Sequence, residues 1–215
     1  MSAAAHVYPR LHTGPEPRAG GFPVDRAAAA FRGFLESLGL DLTDPNLAGT
    51  ADRVARAYRE MLGGLRDAEP TLSTFPNAKK YRGIVSVTDI PFYSICAHHF
   101  LPFFGSASVG YAPGERLVGL SKLARVVDFY ARRPQIQEDL TEQVALLLEE
   151  RLAPAGVIVS VEARHLCMEM RGVARPGVTT RTTAVRGTLS DERLQEQFFD
   201  RLGNGGPSNR ARRTG

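Results

Sequence analysis

The chain has 215 residues, of which 43% are hydrophobic and 23% charged, a composition typical of globular proteins. No stretch approaches the roughly 18 uninterrupted apolar residues of a membrane helix, and the first residues lack the apolar core of a secretory signal. We therefore expect a cytoplasmic protein without a membrane partner. The formal net charge of +4 lies in residues 1–24 and 203–215, and the body between them is neutral. Charge confined to the ends is typical of solubilising tails and disfavours nucleic-acid binding.

Helical patterns come first in chain order. Residues 1–24 are rich in Pro, Gly and Ala and lack hydrophobic periodicity, so we predict a flexible arm there. From Asp25 onwards apolar residues follow helical spacing, and Gly39 is a plausible end for this first helix. A second helix is predicted to start near Thr50 and to end at Gly63. These two helices carry no obvious chemistry.

A change of the hydrophobic period to two predicts strands in the next part of the chain. Alternation is clear over residues 85–88 and again over residues 106–111. After them, Ser121 is predicted to cap a third helix. Pro134 is predicted to open a longer fourth helix that ends at Pro154.

The last third of the chain predicts two more strands and a helix. In the run GVIVSVEARHLCM every second residue from Val157 to Cys167 falls on one face, if the alternation continues. Another strand is predicted over residues 178–185, followed by a helix capped by Ser190. Because the order of elements contains no repeated strand–helix–strand unit, we predict an α+β fold class with an antiparallel sheet.

Two cysteines and three histidines define a candidate metal site. Cys96 and His99 stand at C-x-x-H spacing, and Cys167 comes from a distant strand. Three such ligands without an evident fourth are the ligand set of a catalytic zinc site, where water takes the open position. C-x-x-H alone is a weak signal, and two buried structural thiols are the alternative. The neighbouring His98 and His165 favour a functional cluster in a body otherwise poor in histidine.

Three runs carry a family resemblance, and they stand in the order SICAHHFLPFFG, GLSKLARVVDFYARRPQIQEDLT and EARHLCMEMRGV. Together they resemble GTP cyclohydrolase I from about Asp25 to Leu202. We therefore expect a domain over residues 25–202, with a helical part (25–64) and a catalytic part (81–202), and a flexible basic tail over residues 203–215. The resemblance implies the tunnelling fold (T-fold), in which an antiparallel sheet with helices on one face closes into a barrel by oligomerisation. The implied assembly is a homodecamer of two pentamers with active sites at subunit boundaries.

The resemblance also implies roles for the matching residues. The implied ligands of Zn²⁺ are Cys96, His99 and Cys167. His98 resembles the acid that protonates N7 of guanine, and His165 resembles a second catalytic histidine for the later steps. The residues that match the substrate-binding groups are Gln137 and Glu138 for guanine, and Ser121, Lys122, Arg125 and Arg171 for the triphosphate. From spacing alone, these substrate-binding residues would be solvated surface charges and an exposed first helical turn.

The implied reaction opens the imidazole ring of GTP, releases formate and gives 7,8-dihydroneopterin triphosphate, the first step of tetrahydrofolate and pterin biosynthesis. The residue types suit that substrate. A carboxylate such as that of Glu138 accepts from both N1–H and the exocyclic amine of guanine, and Lys and Arg bind phosphates.

The chain departs from the family pattern at two positions, and two other functions stay open. Ala97 stands where the family usually has Glu, and Ala51 follows Thr50 where Pro is common. One alternative is a paralogue of the same fold that serves a 7-deazapurine or other specialised pathway. The other is a catalytically silent regulator that binds zinc and GTP. Ala97 favours that regulator, whereas the two catalytic histidines together with Glu138 disfavour it.

Overall fold

The computed structural model describes residues 21–205, with side chains in the last helix described up to Asp200 and at Leu202. Most of the predicted arm and most of the predicted basic tail lie outside the described residues. The chain divides into two compact units, Met1–Ala68 and Glu69–Gly215. Within the described part, no helix is both long enough and apolar enough to cross a membrane.

The first unit is built on two helices, as the sequence predicts. Helix α1 (Val24–Ser37) is followed by Gly39 in a left-handed conformation, with φ of 74°, and helix α2 (Thr50–Met61) follows. A 3₁₀ turn over Gly63–Leu65 comes after α2. The helices pack on each other, and an ion pair of 3.7 Å joins Arg32 to Asp52. Because both partners are exposed, this pair contributes little to stability.

The second unit holds a five-stranded sheet with helices around it. Its elements are, in chain order, β1 (Thr74–Pro76), β2 (Val85–Cys96), β3 (Pro102–Ala112), β4 (Arg116–Val118), α3 (Leu120–Ala131), β5 (Pro134–Gln135), α4 (Gln137–Leu152), β6 (Gly156–His165), α5 (Leu166–Glu169), β7 (Thr179–Gly187) and α6 (Glu192–Gly205). The strand order is β5-β2-β3-β6-β7, and β1 pairs separately with β4. The long strands are antiparallel neighbours, whereas β5 runs parallel to β2. This confirms the predicted α+β class.

The core lies between one face of the sheet and helices α3 and α4. Every second residue of β6 from Val157 to Ala163 is buried against this layer, as the alternation predicts. Ile158 points to the opposite face, where it meets Phe198 of α6. A Cβ atom at Gly110 would lie 2.9 Å from the Phe198 ring, so glycine is required there. Helix α6 therefore also covers one end of the second face.

The hairpin of β2 and β3 is longer than the sequence pattern predicts. Predicted residues 85–88 and 106–111 are the far ends of two strands that run on to Cys96 and from Pro102. The pattern is interrupted because a register shift separates Val87 from Ile90, with a positive φ of 56° at Asp89. Residues 94–96 are then buried consecutively, which hides the period of two. The hairpin end thus carries the SICAHHFLPFFG run.

Three predicted helix starts were wrong. Helix α3 begins after Gly119, so Ser121 lies inside its first turn and caps nothing. Pro134 belongs to β5, and α4 begins only at Gln137. The cap of α6 is Asp191, whose Oδ1 accepts the backbone N–H groups two and three residues further on at 3.0 and 3.3 Å. Ser190 ends the preceding 3₁₀ turn instead. The observed starts lie one to three residues from the predicted ones.

Candidate functional site

The turn between β2 and β3 holds two of the three candidate metal ligands. Cys96 is the last residue of β2 and is 6% exposed. Its N–H donates to the carbonyl of Leu101 at 2.9 Å, and its own carbonyl accepts from the N–H of Phe100 at 2.8 Å. A left-handed conformation at Phe100, with φ of 57°, lets the chain reverse here. His99 is thereby placed with Nδ1 4.0 Å from Cys96 Sγ.

The third candidate ligand comes from a helical turn. Strand β6 ends at His165, and Cys167 lies in the one-turn helix α5. The prediction that Cys167 continues the strand face of His165 was therefore wrong, because the alternation stops where the backbone becomes helical. The turn places Cys167 Sγ 3.8 Å from Cys96 Sγ.

The geometry of this Cys–His–Cys cluster fits a metal ion. The ligand atoms of Cys96, His99 and Cys167 all lie within 4.8 Å of one another. Tetrahedral zinc ligands, at about 2.3 Å for sulfur and about 2.0–2.1 Å for nitrogen, lie about 3.5–3.8 Å apart. The observed 3.8 Å and 4.0 Å separations are close to these values. Burial and the neighbouring Cys96 thiol raise the pKa of Cys167, and a bound cation favours the thiolate instead.

His165, two residues before Cys167 in the chain, is held in a fixed orientation. Its ring stacks on the fully buried ring of Phe103, with centroids 4.8 Å apart and planes within 1°. Its Nε2 lies 2.8 Å from Oε1 of Gln137. Burial lowers the pKa of His165, and the charge of Glu138 opposes this effect. The register of β3 and β6, which pairs Phe103 with His165, brings the two rings together.

Gln137 fixes which nitrogen of His165 carries the proton. Its Nε2 donates to the carbonyls of Val161 and Thr180, each at 3.0 Å, and lies 3.1 Å from Oγ1 of Thr182. With the amide nitrogen so engaged, Oε1 faces His165 and accepts from Nε2–H. Nδ1 is then the acceptor nitrogen of the imidazole. Gln137 is 1% exposed, and its predicted contact with guanine stays a prediction.

Replacing Gln137 with leucine should lower both stability and turnover. The carbonyls of Val161 and Thr180 would lose their amide donor, at a cost of about 1–3 kcal/mol for an unsatisfied buried polar group. The imidazole of His165 would also lose its orienting acceptor. Thermal unfolding and steady-state kinetics on the same preparation check both effects.

The matched control for this change is Thr182→Val. Thr182 belongs to the same buried network through Gln137 and Thr141 but does not touch His165. This variant should lose stability and keep its turnover. An equal fall of turnover in the two variants would contradict the assigned role of Gln137.

The other predicted residues differ in their contacts with the cluster. His98 is exposed, and its ring meets that of His99 edge-on, with centroids 6.3 Å apart. Glu138 is exposed in the first turn of α4, and Arg171 is close enough to Cys167 for its charge to act on the thiol. The three predicted phosphate ligands on α3 form no hydrogen bond or ion pair with the cluster in the described part of the chain. These three are Ser121, Lys122 and Arg125.

Comparisons with known proteins place this chain in a family. The family model of GTP cyclohydrolase I matches residues 27–203. A GTP cyclohydrolase 1 of Mycobacteroides abscessus is 52% identical over 168 residues, which cover 77% of this chain and 82% of that protein. A GTP cyclohydrolase 1 of Mycolicibacterium paratuberculosis is 53% identical over 169 residues, with the same shares covered.

A solved structure of the apo form of archaeosine synthase QueF-Like is also similar. It covers 50% of this chain and 97% of its own, with 21% identity and a TM-score of 0.41, and we base no argument on it. The family model and the relatives define a hydrolase of the T-fold class, and the antiparallel sheet with its helices agrees with that class. The chain belongs to the GTP cyclohydrolase I family. The resemblance stated from the three sequence runs is thereby confirmed.

Proposed function

We propose that this chain is a zinc-dependent enzyme that converts GTP into 7,8-dihydroneopterin triphosphate and releases formate. The observation that carries the proposal is the Cys–His–Cys cluster. His98 is next to the ligand His99, and His165, two residues before the ligand Cys167, is oriented by Gln137. The matching family model over residues 27–203 and relatives with about half of their residues identical support it.

The donor set favours zinc over harder cations. Two thiolates and one imidazole suit Zn²⁺, whereas Mg²⁺ and Ca²⁺ prefer oxygen ligands. Three ligands correspond to a site that keeps one position for water or substrate. A zinc ion bound there supplies a Lewis acid and lowers the pKa of water toward ~7.

Glu138 is the residue that we propose for selecting guanine. Its carboxylate is exposed at the start of α4 and acts electrostatically on His165. It can accept from N1–H and from the exocyclic amine of guanine together, whereas adenine lacks this pair of donors. The base would thereby lie against the two histidines.

The two histidines would move protons at different stages. His98 is exposed next to the metal ligand His99 and would give a proton to N7 as the imidazole ring of guanine opens. His165, whose Nε2–H is engaged with Gln137, presents Nδ1 as an acceptor. It would serve the later hydrolysis and rearrangement steps.

We propose that the triphosphate site is shared between copies of the chain. Arg171 is near the cluster, whereas Ser121, Lys122 and Arg125 lie on α3 and make no polar contact with it among the described residues. Strand β7 is one edge of the sheet, and β5 covers only Ile95 and Cys96 of β2 at the other. Edges of this length favour pairing with further strands. We therefore propose a homo-oligomer, a decamer of two pentamers, with sites at the subunit boundaries.

Comparing GTP binding with GTP consumption on one zinc-loaded preparation tests this function. We expect GTP to bind and then to disappear over many turnovers. Tight binding without consumption would overturn the proposal in favour of a silent regulator, the function that Ala97 favours. Ala97→Glu would then be the next variant to assay, since it restores the carboxylate that the family usually has beside the site.

A further inference from the structure

We propose that the ion pair between Arg164 and Glu169 positions the metal ligand Cys167. The pair brackets the ligand in sequence, since Arg164 lies near the end of β6 and Glu169 is the last residue of α5. The inference rests on the metal site of the proposed function. The two residues would act on that site through the position of Cys167, and not by contact with the metal.

The pair has a geometry that fixes direction as well as distance. Nε of Arg164 donates to Oε1 of Glu169 at 2.8 Å, and Nη2 donates to Oε2 at 2.5 Å. Two parallel bonds between a guanidinium and a carboxylate hold both planar groups in one orientation. The guanidinium also lies over the ring of Phe104 in β3, 5.6 Å from its centroid. The guanidinium of Arg164 thus contacts the sheet as well as α5.

The carboxylate of Glu169 joins three parts of the chain. Its side chain is only 7% exposed, although that of Arg164 is 44% exposed. Besides the two bonds from Arg164, it accepts the backbone N–H of Gly177. It therefore ties α5 both to β6 and to the loop that contains Arg171, the proposed triphosphate ligand.

Helix α5 depends on such contacts because it is a single turn. It spans four residues, and the bond from the N–H of Met170 to the carbonyl of Leu166, at 3.1 Å, closes it. A helix this short is not stable alone in water, since nucleation costs more than one hydrogen bond returns. The N–H of Arg175 bonds the carbonyl of Met168 at 3.0 Å and adds a second tie to the loop.

The position of α5 decides whether the metal site is complete. Cys96 and His99 come from one hairpin turn, which contains no residue of α5 and sets the 4.0 Å between Cys96 Sγ and His99 Nδ1. Cys167 is the one proposed ligand from outside that turn, so its 3.8 Å distance to Cys96 Sγ depends on how α5 is held. Replacing residues that orient the ligands of a metal without binding it typically weakens metal binding 10–100-fold.

The test is the zinc affinity of three variants of the full-length protein. Arg164→Met keeps the packing on Phe104 and removes the paired bonds. Glu169→Gln keeps the shape and the acceptor for Gly177 and removes the charge. Arg181→Met is the control, because Arg181 of β7 pairs with Glu162 of β6 through two bonds to a single oxygen, Oε2, and neither residue belongs to α5. Each protein is stripped of metal and titrated with zinc against a chromophoric chelator.

We expect about tenfold weaker zinc binding in both Arg164→Met and Glu169→Gln, with Arg181→Met like the wild type. The double variant should be no weaker than Arg164→Met, because that change alone already removes both bonds of the pair. In the cobalt-loaded forms, the thiolate-to-metal absorption band should shift in the first two variants only. A purely electrostatic effect makes a different prediction, since loss of the arginine charge would then strengthen cation binding.

Three results would overturn the inference. They are tighter zinc binding in Arg164→Met, equal affinity in Arg164→Met and Arg181→Met, and additive losses in the double variant. Thermal unfolding of the metal-free forms gives the structural baseline against which the affinities are compared. A wild-type protein that binds no zinc would instead overturn the metal site itself, and the inference with it. If the wild type binds zinc and the variants bind it with the same affinity, this inference alone fails and the metal site stands.

Discussion

Cys167→Ala should abolish zinc binding and, with it, the conversion of GTP. The change leaves Cys96 and His99 as the only two of the proposed ligands, one fewer than a catalytic zinc site uses. Because even residues behind the ligands alter affinity 10–100-fold, we expect loss of a ligand to weaken zinc binding by more than about 100-fold. Metal analysis per chain and formate release, measured on one preparation, check both effects.

The same helical turn offers a control for this change. Met168 is exposed next to Cys167, and Met168→Ala removes a comparable side chain without touching the cluster. This variant should keep one zinc ion per chain. Full zinc occupancy in Cys167→Ala would contradict the ligand assignment, because zinc would then be bound without the thiolate of Cys167.

His98→Ala should reduce turnover by about 10²–10⁴-fold, which is the usual contribution of a positioned general acid. His98 is exposed, and its ring only meets that of His99 edge-on, so the change should leave the fold and the metal site intact. The expected signature is a large fall of kcat at saturating GTP with unchanged zinc content. These are measured by steady-state kinetics and metal analysis.

The zinc content serves as the internal control for His98→Ala. A variant that still forms the pterin at the normal rate would contradict the assigned proton transfer. Loss of zinc from the variant would instead indicate that His98 supports the ligand His99 and is not the acid.

The sequence predicted which residues form the metal cluster better than it predicted the secondary structure that carries them. C-x-x-H spacing, a distant cysteine and adjoining histidines pointed to the cluster because ligand chemistry restricts the residue types. Its third member was placed on the wrong kind of element, since nothing in the run ARHLCM marks the change from strand to helix at Leu166. The contacts of Phe103 and Gln137 with His165 were not predicted, although Gln137 was named as a candidate for guanine. Their roles depend on strand register and on a contact across 28 residues, which no local pattern encodes.

The fold was predictable to a similar extent. Alternation identified β6 correctly because one face of that strand packs on a helix layer. Strand β2 was foreshortened, since a bulge near Asp89 and consecutive burial at its end erase the period of two. Pro134 looked like a helix start, but its pairing with Ile95 makes it a strand residue. Long-range pairing decided these cases, and propensity did not.

The central claim is that the zinc-loaded protein carries out the full conversion of GTP. Its most direct test is to incubate the protein with GTP and to quantify formate together with neopterin, the latter by fluorescence after oxidation and dephosphorylation. We predict the two products in equal molar amounts, and none after removal of zinc. Formate without neopterin would contradict the proposed reclosure of the ring, and the absence of both products despite tight GTP binding would contradict the proposed enzyme.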